Sequence, residues 1–567
     1  MKKLLLLFVT LLSANHISAQ SSANGYMVDA VWSQGYPYNI FCPSLANGNK
    51  ALTGCGATAM AQIFYYYQFP LKGTGHVKYG NVDVDLDACA IDWQHIQPRY
   101  GAQASETEKE AVANLMRVVG AAMKMHYMTN GSSPYNYPSM MWGLQHYLHL
   151  SPQSRYLRRC YYSTAEWTEM LCKELDEGHP VFYRGDHSEP DKSLAGHMFV
   201  VDGHDGTSLF HANYGQGEDY QIRWVDLNLL NQGNGTNPGV GGVCYHHRQA
   251  MVKDCVPMQG LSDSDFDPIA LVVDTTLFVG DDPYASTVVA RNSVYVNSAV
   301  KLVSFFGASI DCSVGFYRDG VLQAVSPTVL RSQSFPDGGR MRYFRGFFTL
   351  PSTLGNGEYE MSIVSRENES APWVRGWDNA PNRVPVTVEN GTFTFHVLPS
   401  HKLDTHLYLL DGIKEVTGQN GGKTFEFTIC NPSENNFEDS LRICISNKGK
   451  TYLSHQLTSI YDGQQMTYRY FIPDTKADFS EGYEISAFYR ELNGKRWLPL
   501  TDYATAVRQQ DVAPVKGLTI STLGGVCVRR WSTTPGEQEY ANVLRSLPKG
   551  VYVIQDANGS RKFVKSR

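Results

Sequence analysis

Apolar positions recur every three to four residues in three stretches of the first half of the chain. "TEKEAVANLMRVVGAAMKM" (107–125) groups its charges early and predicts an amphipathic helix. "YPSMMWGLQHYLHL" (137–150) follows with Pro138 near its start, and "TAEWTEMLCKELDEG" (164–178) predicts a third helix stopped by Gly178. The period then shortens. "PVFYRG" reads as a strand, and "GHMFVVDG" and "SLFHANYG" read as two more, joined through the hairpin signal Asp205-Gly206. Upstream, "TGCGATAMAQIFYYYQFP" (53–70) sets one cysteine between two glycines, ahead of a small-residue run that predicts a buried helix.

From about residue 260 helical spacing fades. Short alternating strands separated by Gly, Asn, Asp and Pro turns predict β-sandwich modules. An internal repeat supports two of them: Tyr359 and Tyr483, Ser362 and Ser486, Arg366 and Arg490, and Trp373 and Trp497 are all offset by 124 positions. The expected layout is 260–398 for the first module and 399–510 for the second. In each, the tyrosine and tryptophan are expected to pack in the core. Residues 511–567 form a last small β unit ending in a hairpin around Asn558-Gly559.

The N-terminus changes the picture of compartment. In "MKKLLLLFVTLLSANHISAQ", two lysines precede an apolar stretch too short to span a bilayer, and Ala19 stands before an expected cut. Residues 1–19 thus read as a secretory signal, and no later segment is apolar enough to cross a membrane. The 567 residues are too many for one domain. A net charge of −6 without a long basic run argues against nucleic acid as a partner. Eleven cysteines are too sparse for a disulfide scaffold, and the odd count leaves at least one thiol free within the chain.

A free thiol at Cys55 has a chemical setting. The thiolate is the nucleophilic form, and a helix N-terminus stabilises it through unpaired N–H groups and the helix dipole. Gly54 and Gly56 clear the approach of a substrate carbonyl, and the Cys55 N–H can face a developing oxyanion. Taken alone, a buried structural cysteine beside a tight turn explains the same residues. A nucleophile needs a base, and His197, directly after Gly196 at the edge of an apolar strand, is the candidate. His211, His204, His187 and His179 compete with it. Asn213 on the partner strand is the candidate orienter of the imidazole. With only Asp205 and Gly206 in the turn, His197 stands opposite Tyr214. With a three-residue loop or one bulge, it stands opposite Asn213. Gln34, in "WSQGYPYN", can offer a second oxyanion donor.

In combination and order, "SQGYPYN", "TGCGATAMAQIFYYYQFP", "NGSSPY", "ELDEGHPVFYRG", "GHMFVVDGHDG" and "FHANYG" resemble the streptopain family of papain-like cysteine peptidases. The resemblance spans about residues 32–215. It implies an α+β papain-like catalytic domain over 20–257, and with the modules read above the expected architecture continues as all-β tandem immunoglobulin-like sandwich modules and the small β C-terminal domain. It implies Cys55 as nucleophile, His197 as base, Gln34 as oxyanion donor and Asn213 as orienter. Ser133 and Gly196 would line the substrate groove, with Tyr214 beside them. No metal or organic cofactor is implied. The partners implied are protein or peptide substrates, with an inhibitor protein as a further candidate. Two departures stand out. Tyr214 and Gln216 occupy places where the family carries tryptophan, and only about a dozen residues separate the signal from "WSQGYPYN", too few for a folded blocking propeptide. More loosely, "LPKGVYVIQDANGSRKFVK" resembles the sorting domains of type IX secretion, which implies secretion or display on the outer-membrane surface.

The leading expectation is a secreted cysteine endopeptidase. Transglutaminase-like acyl transfer uses a similar Cys and His order but with an acidic third residue, and the nearest acids here, Glu218 and Asp219, come late. An adhesin or binding protein with a degenerate peptidase domain is the non-enzyme alternative, motivated by the altered tryptophan positions and the large β region.

Overall fold

A computed structural model describes residues 25–565 apart from 129–130, 207–208, 218–222, 233–242, 268, 283–284, 337–338, 398–405, 417–420, 434, 491–495, 504–517, 523–526, 532–535, 548–549 and 557–558. The expected signal, the acids at 218–219 and Asn558 lie outside the described residues.

Four helices build the first part of the chain. Helix α1 (Cys55–Tyr67) buries every residue from Gly56 to Phe64, which its small side chains permit, and ends at Gln68 in the left-handed conformation. Helix α2 (Glu106–Ala122) and helix α4 (Thr164–Asp176) each open on a capping box, Ser105 with Glu108 and Ser163 with Glu166. Helix α3 (Tyr137–Leu148) is capped by Asn136, whose side chain accepts from the Ser139 N–H. The three periodic stretches thus fold as expected, each two or three residues shorter at its end.

A six-stranded antiparallel sheet follows: β1 (Arg155–Arg158), β2 (Val181–His187), β3 (Ala195–His204), β4 (Leu209–Asn213), β5 (Arg223–Asp226) and β6 (His247–Lys253), in the order β1-β6-β2-β3-β4-β5. Its alternating residues divide between two cores. Phe182, Val200, Ala250 and Val252 join the cluster that contains α1. Tyr183, Phe199, Val201 and Met251 join the cluster that contains Trp167, Leu171 and Leu175 of α4. The helix bearing Cys55 and helix α4 therefore cover opposite faces.

The β3–β4 hairpin departs from both expected registers. Val200 pairs with Asn213 and Val201 with Ala212, then a bulge shifts the pairing to Gly203 with His211. Asp205 explains the difference. Its N–H donates to the Leu209 carbonyl and its carboxylate accepts from the Leu209 N–H at 3.0 Å, so the loop closes beyond Asp205-Gly206. Neither Tyr214 nor Asn213 stands opposite His197 in the ladder.

Residues 270–502 form two double-sheet units. In the first, β7 (Ala270–Val273) pairs antiparallel with β8 (Ser293–Val303), β9 (Ala308–Arg318) with β11 (Gly357–Arg366), and β8 with β10 (Arg342–Thr349). The short β12 (Trp377–Asp378) runs parallel to β7. Five- and eight-stranded sheets enclose Leu271, Val296, Phe316, Met361 and Phe395. The second unit repeats the pattern. There β13 (Tyr408–Leu409) pairs with β14 (Gly422–Cys430), β14 with β17 (Gln465–Pro473), and β15 (Phe437–Asn447) with both β16 (Lys450–Ile460) and β18 (Glu484–Arg490). Strand β19 (Thr501–Asp502) runs parallel to β13. The offset of 124 in sequence is thus a repeated strand pairing in space. Tyr359 is buried in its core, whereas Tyr483 is only half-buried.

The C-terminal unit is not purely β. Strands β20 (Leu518–Thr522), β21 (Cys527–Trp531), β22 (Gly550–Asp556) and β23 (Gly559–Lys565) form one sheet, and helix α5 (Glu537–Ser546) is inserted between β21 and β22. Tyr540, Val543 and Leu544 recur at helical spacing and pack on Ile520 and Ile554. Ten of the cysteines, Cys55 among them, are unpaired thiols. Among the described residues, no helix is long and apolar enough to cross a membrane, and no group of three His, Cys, Asp or Glu could hold a metal ion.

Candidate active site

Cys55 is the first residue of α1 and is half-buried. Gly54 before it has φ 87°, a conformation that suits glycine, and a Cβ there would lie 2.3 Å from the Ser132 carbonyl. The chain carrying Ser132, Ser133 and Pro134 therefore runs directly against the nucleophile's turn, and a Cβ on Gly56 would meet Pro134 and the Met198 sulfur. Through Met198, the residue after His197, the two halves of the site touch.

The His197 imidazole is buried and faces Cys55. Its Nε2 lies 2.8 Å from the Tyr214 carbonyl oxygen. A carbonyl only accepts, so Nε2 carries the proton, which leaves Nδ1 to the sulfur. Burial pushes the Cys55 thiol up. The His197 hydrogen bond and charge, with the N–H groups of Met198 and Gly56, oppose this and bring it below the ordinary thiol value. His197 responds in the opposite sense. Burial lowers it, but the sulfur and the Tyr214 carbonyl raise it above the ordinary imidazole value. Both shifts favour a thiolate facing an imidazolium.

The orienter differs from expectation. Asn213 makes no contact with the imidazole among its hydrogen bonds. Its Oδ1 accepts from Gly215 N at 3.1 Å and Gln62 Nε2 at 3.2 Å, and its Nδ2 donates to the Ala30 carbonyl at 2.8 Å. The longer hairpin loop places Asn213 beside Val200, three residues from His197. Asn213 instead closes the turn that presents the Tyr214 carbonyl. It also ties that turn to Gln62 of α1 and to the chain leading to Gln34. Tyr214 departs too. Its side chain is buried, 1% exposed, and packs behind the imidazole with Phe199 at 4.8 Å, so it offers no surface to a substrate.

Gln34 is fixed close by. Its carbonyl accepts from the Thr53 N–H at 3.0 Å, two residues before Cys55. The segment leading to it is held along its length: Val28 N donates to Asp202, Ala30 O accepts from Gln62 and Asn213, and Trp32 O accepts from Gly217 N. Ser133 is half-buried in the short strand beside Gly54, and Gly196 is exposed immediately before His197. A Cβ on Gly196 would lie 2.8 Å from the Asp186 carboxylate, which is paired with Arg184. The competing histidines are engaged elsewhere. His211 pairs with Asp202, His204 with Asp176, His187 with Glu189 and His179 with Glu174.

Two contributors escape sequence reasoning. The Tyr245 ring stacks on His197 at 5.1 Å, from a chain segment 48 positions away. Gly185 makes this possible: it pairs with His197 across β2 and β3, and a Cβ there would lie 2.1 Å from the Tyr245 carbonyl. No local pattern marks Tyr245. Gln62 did carry a signal, as a polar residue inside a fully buried small-residue helix.

The model of the Peptidase C10 family matches residues 32–221. Over 453 residues the chain is 26% identical to the thiol protease/hemagglutinin PrtT of Porphyromonas gingivalis, covering 77% of this chain and 49% of the relative. Over 233 residues it is 29% identical to streptopain of Streptococcus pyogenes, covering 37% of this chain and 57% of the relative. The chain therefore spans about half the length of these relatives. Among solved structures, active wild-type interpain A cysteine protease of Prevotella intermedia is 30% identical, covering 41% of this chain and 94% of that chain with a TM-score of 0.37. The order of matching segments and the Cys55–His197 juxtaposition agree with the family match and the curated relatives, and residues 32–221 belong to the Peptidase C10 family.

Proposed function

We propose that the chain is a secreted cysteine endopeptidase that hydrolyses peptide bonds in protein substrates. The observation that carries this reading is the juxtaposition of Cys55, at the first turn of its helix, with the buried His197 imidazole, whose Nε2 is held by the Tyr214 carbonyl, and their interaction shifts the thiol down and the imidazole up. In this mechanism the Cys55 thiolate attacks the scissile carbonyl carbon and its oxygen takes the negative charge. The Cys55 N–H and the Gln34 side-chain amide donate to that oxygen. The tetrahedral species collapses, His197 gives its proton to the leaving amine, and a thioester remains on Cys55. His197 then takes a proton from water, the hydroxide attacks the thioester, and the proton returns to the departing sulfur. Ser133 and Gly196 line the groove that holds the substrate backbone.

In the same reading residues 1–19 direct export and 20–257 form the peptidase domain. Residues 260–398 and 399–510 are immunoglobulin-like modules, and 511–567 serve sorting. The binding-protein alternative loses ground because nucleophile, base and the Gln34 segment converge. Casein hydrolysis by the full export-mature chain tests the proposal, with Cys55→Ala alongside and a thiol-directed epoxide as label. The expected result is hydrolysis that Cys55→Ala abolishes and labelling confined to Cys55. Activity that survives in the variant would end the reading.

A further inference from the structure

Strand β16 is the edge of the four-stranded sheet in the second double-sheet unit. An edge strand presents unpaired backbone groups that must be covered. Here two segments of the peptidase domain cover it: the loop that leads into the His197 strand and the segment that follows Tyr245.

The first is the loop between β2 and β3. The Asp191 N–H donates to the His455 carbonyl at 2.7 Å, and the His455 N–H donates to Asp191 Oδ1 at 2.9 Å. The Tyr452 hydroxyl donates to Asp191 Oδ2 at 2.9 Å. The buried Gln456 amide donates to the Ser188 carbonyl at 3.0 Å, and the Ser188 hydroxyl donates to the Leu457 carbonyl. The hairpin ladder closes at His187 with Ala195, so this loop joins the His197 strand only two residues before His197. The second segment is the start of β6. His246 Nε2 lies 3.1 Å from Thr458 Oγ1, and His247 Nδ1 lies 2.9 Å from Ser459 Oγ. The Arg248 N–H donates to the same Ser459 hydroxyl, and Tyr461 donates to the His246 carbonyl. These residues directly follow Tyr245, whose ring lies on the imidazole.

The nucleophile is supported from elsewhere. Helix α3, which packs in the α1 core, is held by the first double-sheet unit through Ser139 to the Ser304 carbonyl and through Phe305 against Tyr147. The two reacting groups are thus braced by different units.

We infer that the second double-sheet unit is a positioning element of the catalytic centre, with β16 holding His197 against Cys55 through the Ser188–Asp191 loop and through His246–His247 behind Tyr245. The inference rests on the Cys55–His197 pair of the proposed function. It makes Asp191 and Gln456 positioning residues, although neither touches substrate or sulfur.

The test uses the full chain and the rate of Cys55 alkylation by iodoacetamide as a function of pH, followed on the Cys55 peptide by mass spectrometry. Asp191→Ala combined with Gln456→Leu frees the loop. The expected result is a roughly tenfold slower alkylation near pH 6, with the midpoint moved up toward the free-thiol value of about 8.5. On a protein substrate kcat falls while KM changes less than about twofold. Asp191→Asn, which still accepts from His455 N, recovers part of the loss. A folded double variant with the parental alkylation profile overturns the inference, whatever its melting temperature. Should the double variant fail to fold, Tyr452→Phe removes one hydroxyl only. A smaller upward shift then supports the inference and an unmoved midpoint overturns it. A parent chain that alkylates readily at low pH but leaves casein intact refutes the peptidase reading alone. A parent midpoint near the free-thiol value removes the pair and the positioning role together.

Discussion

Acidification should unlatch the second double-sheet unit through two histidines. His246 and His247 are buried, 0% and 1% exposed, against Thr458 and Ser459 of β16. Burial comes first among the causes that push each imidazole down to about 3. His247 and His187 add repulsion at His246, and Arg248, Arg158 and Arg184 add it at His247. In the unfolded chain each titrates near about 6.5. Between those values the unfolded chain binds more protons than the folded one, so stability rises with pH and is lost as pH falls below about 6.5. Each histidine costs about 1.4 kcal/mol per pH unit well inside that window, which integrates to about 2 kcal/mol at pH 5 and about 4 kcal/mol for the pair. The perturbation is His246→Gln with His247→Asn, which keeps a polar atom near each serine or threonine hydroxyl but removes the titration. Urea unfolding of parent and variant at about pH 7.5 and about pH 5 gives two pH-dependent losses, and their difference isolates the pair from the carboxylates. The parent should lose several kcal/mol more than the variant. Equal losses would refute the reasoning, because protonation would then be costing nothing at this interface.

Other perturbations separate the parts of the site. Gly185→Ala places a methyl in the Tyr245 backbone and should cost about 1–3 kcal/mol of stability, with kcat lowered as the ring leaves His197; melting curves and casein kinetics check both. Asn213→Ala strands the Gly215 N–H and leaves the Ala30 carbonyl to Gln62 alone, so thermal unfolding should report a loss of about 1–3 kcal/mol, and turnover should fall as the Tyr214 carbonyl loosens. Gln34→Ala should lower kcat by about 10²–10³-fold with KM little changed, as expected for loss of one oxyanion donor. Its melting temperature should hold, since it is the Gln34 carbonyl that anchors the segment to Thr53.

The half of the site carried by short-range pattern was legible before the structure. The small-residue run after Cys55 could only be a buried helix, and a cysteine at its first turn carries its own electrostatic argument. His197 was legible as the histidine opening an apolar strand, although four neighbours competed. The hairpin register was not, because one Asp205 side chain lengthened the loop and moved Asn213 three positions away from the imidazole. An orienter chosen by residue type was therefore replaced by a backbone carbonyl, a group every residue possesses and no motif can mark. Tyr245 and the β16 contacts were illegible for a related reason. They reach His197 across the fold, where only the packed chain brings Gly185, Tyr245 and Ser459 into one neighbourhood. Helix α5 was missed because turn signals on both sides masked a ten-residue apolar period.

Ultraviolet thiolate absorbance of the full chain, with Cys55→Ala as the blank, tests the ion pair at the centre of this account. Titrated from about pH 4 to about pH 9, the parent should show a thiolate at position 55 well below the ordinary cysteine range of about 8.5, and His197→Ala should show it only within that range. Parent and variant titrating together near the ordinary value would contradict the account.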